Sequence, residues 1–257
     1  MSVETSREGR LLRVTLARPE KRNALSTEFC RELLNAFGAA ESDAGVGAIL
    51  LAAQGDVFCS GMDLSEALDA AAPERTAIHE QLFTAGSRVT KPIVAAVRGP
   101  ALAGGVGLVA NAHIVVASES ATFALTEVRI GMWPFIVFRA VALAIGERRA
   151  LEVSLTGRTF SAREARDWGL AHFVTPPQEV EGRAAEIARG LAESSSDAIR
   201  TGIGFINESR GLAWGEAGLL ALQMRRELFR SPDFQEGVRA FWEKRKPEWP
   251  SARRGAE

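Results

Sequence analysis

Apolar and polar positions along this chain alternate with two different periods, and the changes of period mark out its elements. Leu12, Val14 and Leu16 alternate with Arg13 and Thr15, the two-residue repeat of a half-buried strand. A polar turn follows from Arg18 to Ala24. Ser26 stands where an N-cap belongs, and Phe29, Leu33 and Phe37 share one helical face in a segment running to Glu41. Val46 to Ala53 is mostly apolar, as in a strand buried on both faces. A glycine-bearing loop, Gln54 to Leu64, leads to a short Ala-rich helix over Ser65 to Ala72. Pro73 opens another helix, through Val89.

Lys91 to His113 is the stretch around which the rest is arranged. Ile93 to Val97 reads as a buried strand, and Gly99-Pro100 breaks it. Ala103-Gly104-Gly105 then leads into an apolar segment of helical character, Val106 to Ala110. A strand that turns through glycines into a helix start leaves backbone N–H groups without partners, suited to an anion or a developing oxyanion. Beyond it, His113 to Ala117 is a short strand, Thr122 to Ala124 is extended, and Glu127 to Gly131 is turn-like. Pro134 starts a helix to Ile145, Glu147 to Thr156 is helical, and Ser161 caps a helix that Gly169 ends. Leu170 to Val174 is the last strand. From Pro176 the pattern is helical throughout, roughly over 178–194, 197–210, 214–229 and 234–245. The predicted class is α/β over 1–175, followed by a C-terminal helical region, 176–257, with residues 1–8 and 251–257 outside regular structure. The tail carries Leu219, Leu220, Leu228, Phe229, Phe234, Phe241 and Trp242, so it needs a surface to cover, in its own chain or another subunit.

Composition narrows the function classes. The 257 residues carry 31 Lys+Arg against 32 Asp+Glu, a net charge of −1, which gives no basic face for nucleic acid. Cys30 and Cys59 make neither a disulfide framework nor a metal cluster, and fit a reducing cytoplasm. The first ten residues contain no apolar core of a signal peptide, and no apolar run of about 18 residues occurs, so neither secretion nor membrane spanning is expected. Tyrosine is absent, which removes phenol acid–base chemistry. The histidines His79, His113 and His172 are scattered, so no metal site is expected; His79, on a helix before the central strand, could face a pocket, but a surface or structural role is the preferred reading.

Gly104-Gly105-Val106-Gly107 does not meet the dinucleotide fingerprint, and no Gly-Lys-Ser/Thr follows to make a P-loop. Spacing alone leaves simple close packing of backbone as an equal alternative. Ser60-Gly61 lacks the flanking glycine of a nucleophile elbow, and Cys59 has no base beside it in sequence. Glu127 in isolation reads as a surface glutamate.

Taken together, Phe58-Cys59-Ser60-Gly61-Met62-Asp63-Leu64, Lys91-Pro92 with Ala101 to Gly105, and Phe123 to Val128 with Ile130-Gly131 resemble the crotonase superfamily, the enoyl-CoA hydratase/isomerase family. Leu155-Thr156-Gly157 with Ala165 and Gly169-Leu170, and Phe241 to Lys246 in the tail, add to the resemblance, which runs from about residue 10 to 249. It implies a crotonase-like spiral of ββα turns with a helical trimerisation region, assembled as a homotrimer or homohexamer. It also implies an acyl-CoA thioester as ligand, with no cofactor beyond the coenzyme A of the substrate. The thioester oxygen would accept from the backbone N–H groups of Met62 and Gly104, and Glu127 would be the acid–base carboxylate. Lys21, Arg22 and Ala24 would lie along the CoA, Asp63 and Leu64 near the adenine, and Lys244 near a phosphate, often from a neighbouring subunit. Two positions depart from the pattern. Hydratases of the family carry a second glutamate three residues beyond the oxyanion glycine, where this chain has Gly107. The family's glycine-rich helix start is replaced by Pro134-Phe135-Ile136-Val137-Phe138, which would reshape an acyl pocket. A single carboxylate favours double-bond isomerisation. A hydratase that holds its water otherwise and a non-catalytic acyl-CoA-binding protein are the alternatives.

Overall fold

A computed structural model describes residues 2–66 and 72–253. In chain order the elements are β1 (Val3–Glu8), β2 (Leu11–Leu16), α1 (Thr27–Ser42), β3 (Ala48–Ala53), α2 (Ala72–Phe83), β4 (Ile93–Val97), β5 (Ala101–Leu102), α3 (Gly104–Ala110), β6 (Ile114–Ser118) and β7 (Thr122–Ala124). They continue as α4 (Phe135–Ile145), α5 (Glu147–Thr156), β8 (Phe160–Ser161), α6 (Ala162–Trp168), β9 (Phe173–Thr175), α7 (Val180–Ala192), α8 (Ser196–Ser209), α9 (Trp214–Phe229), α10 (Pro232–Glu243) and α11 (Pro250–Arg253). Six strands form one sheet in the order β1-β2-β3-β4-β6-β9, parallel except for β1 against β2. β5, β7 and β8 form a second, smaller sheet, continued by single bridges between Cys59 and Ala101 and between Leu25 and Met62. After each of the parallel strands β2, β3, β4 and β6 the chain therefore makes a short extended segment in the second layer and then a helix. This is the expected spiral of ββα turns, repeated in backbone geometry without a repeat in sequence.

The apolar runs are buried on both faces, as their patterning requires. Ile49, Leu51, Ile93, Ala95 and Val97 point into the main core with Phe29, Leu33, Val106 and Phe123. Their neighbours Ala48, Leu50, Ala52, Val94 and Ala96 face the other way, onto Val180, Ala184, Ala188 and Ala192 of α7. Each large side chain so buried contributes roughly 1.5–3 kcal/mol over its exposed state. Small residues on α7 let its backbone lie close to the sheet. α7 is thus a layer of the core, and the helices without a sheet to cover begin with α8.

Ser26 caps α1 by accepting from the Phe29 N–H. Ser161 and Glu164 form a reciprocal capping box on α6. Three sequence readings fail, one of them at residues 251–253, which were expected outside regular structure but belong to α11. Residues 3–8 were expected to be irregular but form β1, because backbone pairing with β2 and the Glu32 carboxylate, which accepts from Ser2 and Val3 N–H at 2.7 and 2.8 Å, replace the missing apolar face. The helix expected to run from Pro73 to Val89 ends at Phe83, and a single 3-10 turn, Ala85–Ser87, takes up the rest. The helix expected over Ser65 to Ala72 lies mostly outside the described residues.

α8 to α11 pack on one another. Asp233, 1 % exposed, ties them by accepting from Ser195 Oγ at 2.5 Å and from Ser251 N and Oγ at 2.8 and 2.6 Å. Their outer faces leave large side chains bare: Trp214 is 96 % exposed, and Leu219, Phe241 and Trp242 are also in solvent. No helix among the described residues is long and apolar enough to cross a membrane.

Candidate active site

Two backbone segments meet where the second layer passes the start of α3. Leu25 N–H donates to Gly61 C=O at 2.8 Å, and Asp63 N–H donates to Leu25 C=O at 3.0 Å. That parallel bridge uses the groups on either side of Met62 and turns the Met62 N–H to the opposite edge. Gly61 has φ of +91°, and a Cβ on it would fall 2.7 Å from Ala103 Cβ and 3.3 Å from Gly104 N. Only glycine lets these segments approach so closely. Ala103, at φ 49°, holds a backbone conformation unfavourable for an alanine. Its N–H is anchored to Ala124 C=O at 2.8 Å, and its C=O accepts from Val106 N–H at 2.9 Å. This leaves Gly104 N–H at the open end of α3. Neither Met62 N–H nor Gly104 N–H has an acceptor among the described residues. The two donors expected for an oxyanion are thus on adjacent segments lining one cavity of about 480 Å³.

Glu127 lines the same cavity, at the first position of a 3-10 turn, Glu127–Ile130, that follows β7. The pairing of β7 with β5 fixes this turn relative to Ala103. Glu127 is 9 % exposed, and its Oε2 is buried without a hydrogen-bond partner among the described residues. Burial pushes its carboxyl above the ordinary glutamate range, opposed only by a backbone N–H. The remaining wall is largely apolar, with Leu25, Met62, Phe83, Trp133, Ile136 and Val137. His79 also lines it, so of the readings open in the sequence the pocket-facing one holds over the surface one. The available signal was the spacing of His79 and Phe83, one helical turn apart on α2.

Gly107, where the resemblance implies a second glutamate in hydratases, is buried beneath this wall. A Cβ there would lie 2.4 Å from Val137 Cγ1 and 2.9 Å from Phe83 Cδ1. Hydrocarbon from α2 and α4 occupies the space a second carboxylate would need.

The structure separates the residues expected along a CoA. Lys21, Arg22 and Ala24 lie on one turn that is pinned to the cavity-edge loop: Ser60 N–H donates to Arg22 C=O at 3.1 Å, and Arg18 donates to Ala24 C=O at 3.2 Å. Asn23, missed in the sequence, locks that turn by accepting from Arg18 N–H and donating to the carbonyls of Gln54 and Val57. Leu64 is exposed at the cavity edge. Asp63 instead faces inward and is already engaged by Ser65 N and Oγ and by Arg18 at 2.9 Å. Those bonds, led by the Ser65 hydroxyl, hold its carboxyl below the ordinary aspartate range. Its visible role is to fasten the Arg18–Ala24 turn. Lys244 ends α10 in the tail and does not line the cavity. Cys30 and Cys59 are both buried, and burial pushes each thiol up to about 12, so neither is a nucleophile. Among the described residues no group of three or more His, Cys, Asp or Glu side chains is placed to hold a metal ion.

The sequence profile described as enoyl-CoA hydratase/isomerase matches residues 6–252. The mevalonyl-coenzyme A hydratase of Aspergillus fumigatus is 36% identical over 93% of this chain and 91% of its own length. A putative enoyl-CoA hydratase of Thermus thermophilus is also 36% identical, over 93% and 97%. Among solved structures, an enoyl-CoA hydratase of Mycobacterium smegmatis superposes with a TM-score of 0.92 at 30% identity, covering 97% of this chain and 99% of that one.

Proposed function

Because the chain belongs to the enoyl-CoA hydratase/isomerase family, whose members act on CoA thioesters, we propose that it moves the double bond of a 3-enoyl-CoA to the 2-position through an enolate. Three groups form and hold the enolate. The N–H donors of Met62 and Gly104 stabilise the charge that develops on the thioester oxygen, an effect for which the loss of one donor costs roughly 2.7–4 kcal/mol. Glu127 takes the C2 proton, and a buried carboxylate with a raised pKa is the stronger base once ionised.

The observation that carries the reading is the hydrocarbon packed over Gly107. Hydration across C2=C3 ordinarily uses two carboxylates to orient water and to supply acid and base. Isomerisation removes one proton and returns one. The test is a pair of spectrophotometric assays, crotonyl-CoA hydration against 3-hexenoyl-CoA isomerisation. Isomerisation is expected to be faster by about 10²-fold, the contribution of one acid–base group. A crotonyl-CoA hydration rate equal to or above it would overturn the reading. Hydration stands second, favoured by the names of the Aspergillus and Thermus relatives.

We also propose that the tail assembles the protein as a homotrimer or homohexamer and brings Lys244 to the CoA phosphates of a neighbouring subunit. The bare faces of Trp214, Leu219, Phe241 and Trp242 support this. Light scattering at micromolar concentration should give a trimer or its double. Calorimetry with acetoacetyl-CoA should then show Lys244→Ala binding about fivefold more weakly, as for loss of one exposed charge pair. A monomer, or unchanged affinity, refutes it.

A further inference from the structure

We propose that His79 supplies the proton that C4 receives, a role that rests on the isomerase reading above. Three titratable or charged side chains among the described residues line the cavity: Glu127, Arg129 and His79. Arg129 donates from Nη2 to Gly157 C=O at 2.7 Å, and a guanidinium does not release its proton. His79 is therefore the one described side chain in the wall, besides Glu127, of a type that serves as a general acid or base.

Its placement follows from helix geometry. His79 precedes Phe83 by one turn of α2, and their rings are 6.3 Å apart. The Phe83 ring packs on the oxyanion end of α3: a Cβ on Gly104 would lie 2.9 Å from Phe83 Cζ, and one on Gly107 equally close to Phe83 Cδ1. The face of α2 that bears His79 is thus turned onto the reacting end of the cavity, and His79 is itself only 8 % exposed. Glu127 approaches from a different element, the turn after β7. Two groups on separate elements can serve two carbons, C2 and C4, without a carboxylate travelling between them.

In the step proposed, the Glu127 carboxylate removes a proton from C2. The C–H electron pair becomes the C1=C2 bond, and the carbonyl pair moves to the oxygen held by Met62 and Gly104. The oxygen then reforms C1=O, the C1=C2 pair shifts to C2=C3, and the former C3=C4 pair takes a proton from the imidazolium of His79 at C4. Glu127 ends protonated and His79 neutral. Exchange with solvent returns a proton to His79 and takes one from Glu127, so nothing is oxidised or reduced.

The test is 3-hexenoyl-CoA turned over in D2O by the full-length enzyme, with the label at C4 of the product read by mass spectrometry. Wild type should place solvent deuterium at C4, because the imidazolium proton exchanges. His79→Gln should lower kcat by about 10²-fold with KM little changed, and the remaining turnover should carry the C2 proton to C4 through Glu127. His79→Asn, a second neutral replacement, should behave alike, and acetoacetyl-CoA binding confirms that either variant is folded. Retention of the C2 proton at C4 in wild type overturns the role of His79. So does a His79 variant with unchanged rate and labelling. Absence of isomerisation in wild type overturns the proposed function, and the role of His79 with it.

Discussion

Replacing Glu127 by Gln lowers kcat by about 10²-fold or more, close to 2.7 kcal/mol in activation free energy, with CoA binding almost unchanged. The amide keeps the shape of the side chain but cannot accept the C2 proton. Oε2 makes no hydrogen bond among the described residues, so its replacement by an amide NH2 breaks no network there. The pH dependence has a definite sign. The base works ionised, and burial raises its pKa, so the acid limb of the kcat profile falls away at a higher pH than an ordinary glutamate would give. The same shift acts on stability. A group whose folded pKa exceeds its unfolded value stabilises the fold below the unfolded pKa, and that contribution is lost as pH rises through the folded one. Gln does not ionise, so the variant's Tm should gain on wild type between acid and neutral pH. Stopped-flow or steady-state rates and calorimetric melts across pH measure both. An unaffected kcat would show that another group is the base.

The second large effect is at Gly107. Gly107→Glu is expected to destabilise the protein by about 1–3 kcal/mol and to lower isomerisation, without conferring hydration of crotonyl-CoA. The new Cβ would overlap Val137 Cγ1 at 2.4 Å, and Phe83 Cδ1 stands at 2.9 Å, so the side chain cannot enter the cavity unless α2 and α4 part. Pairing it with Val137→Ala removes the nearest clash and should restore part of the lost stability. Chemical denaturation of wild type, the single and the double variant reads the coupling directly. A stable single variant that hydrates crotonyl-CoA would show that the wall yields, and that the missing carboxylate is the only barrier to hydration.

The sequence by itself determined the elements whose physics is local. Ile93–Val97, Thr122–Ala124 and Glu147–Thr156 stand where apolar runs and caps placed them, because burial on both faces needs an unbroken apolar run, and a helix needs its end groups satisfied. The motifs around Met62, Gly104 and Glu127 named the family, and the glycines there have physical reasons: a side chain on Gly61 would close the approach of two backbones, and one on Gly104 would meet the Phe83 ring. Other features depend on contacts between residues distant in sequence, which no local pattern encodes. β1 has no apolar face of its own and exists through pairing with β2 and through Glu32. α7 reads like the tail helices, and only the sheet face made by Leu50, Val94 and Val116 draws it into the core. Asp63 is written among the motif residues, yet Arg18, 45 positions earlier, turns its carboxylate inward. Tertiary structure alone also decided what surrounds Glu127. The residues that bury it, the hydrocarbon over Gly107 and the imidazole of His79 come from α2, α4 and the turn after β7, and desolvation, which sets the carboxylate's basicity, depends on all of them at once.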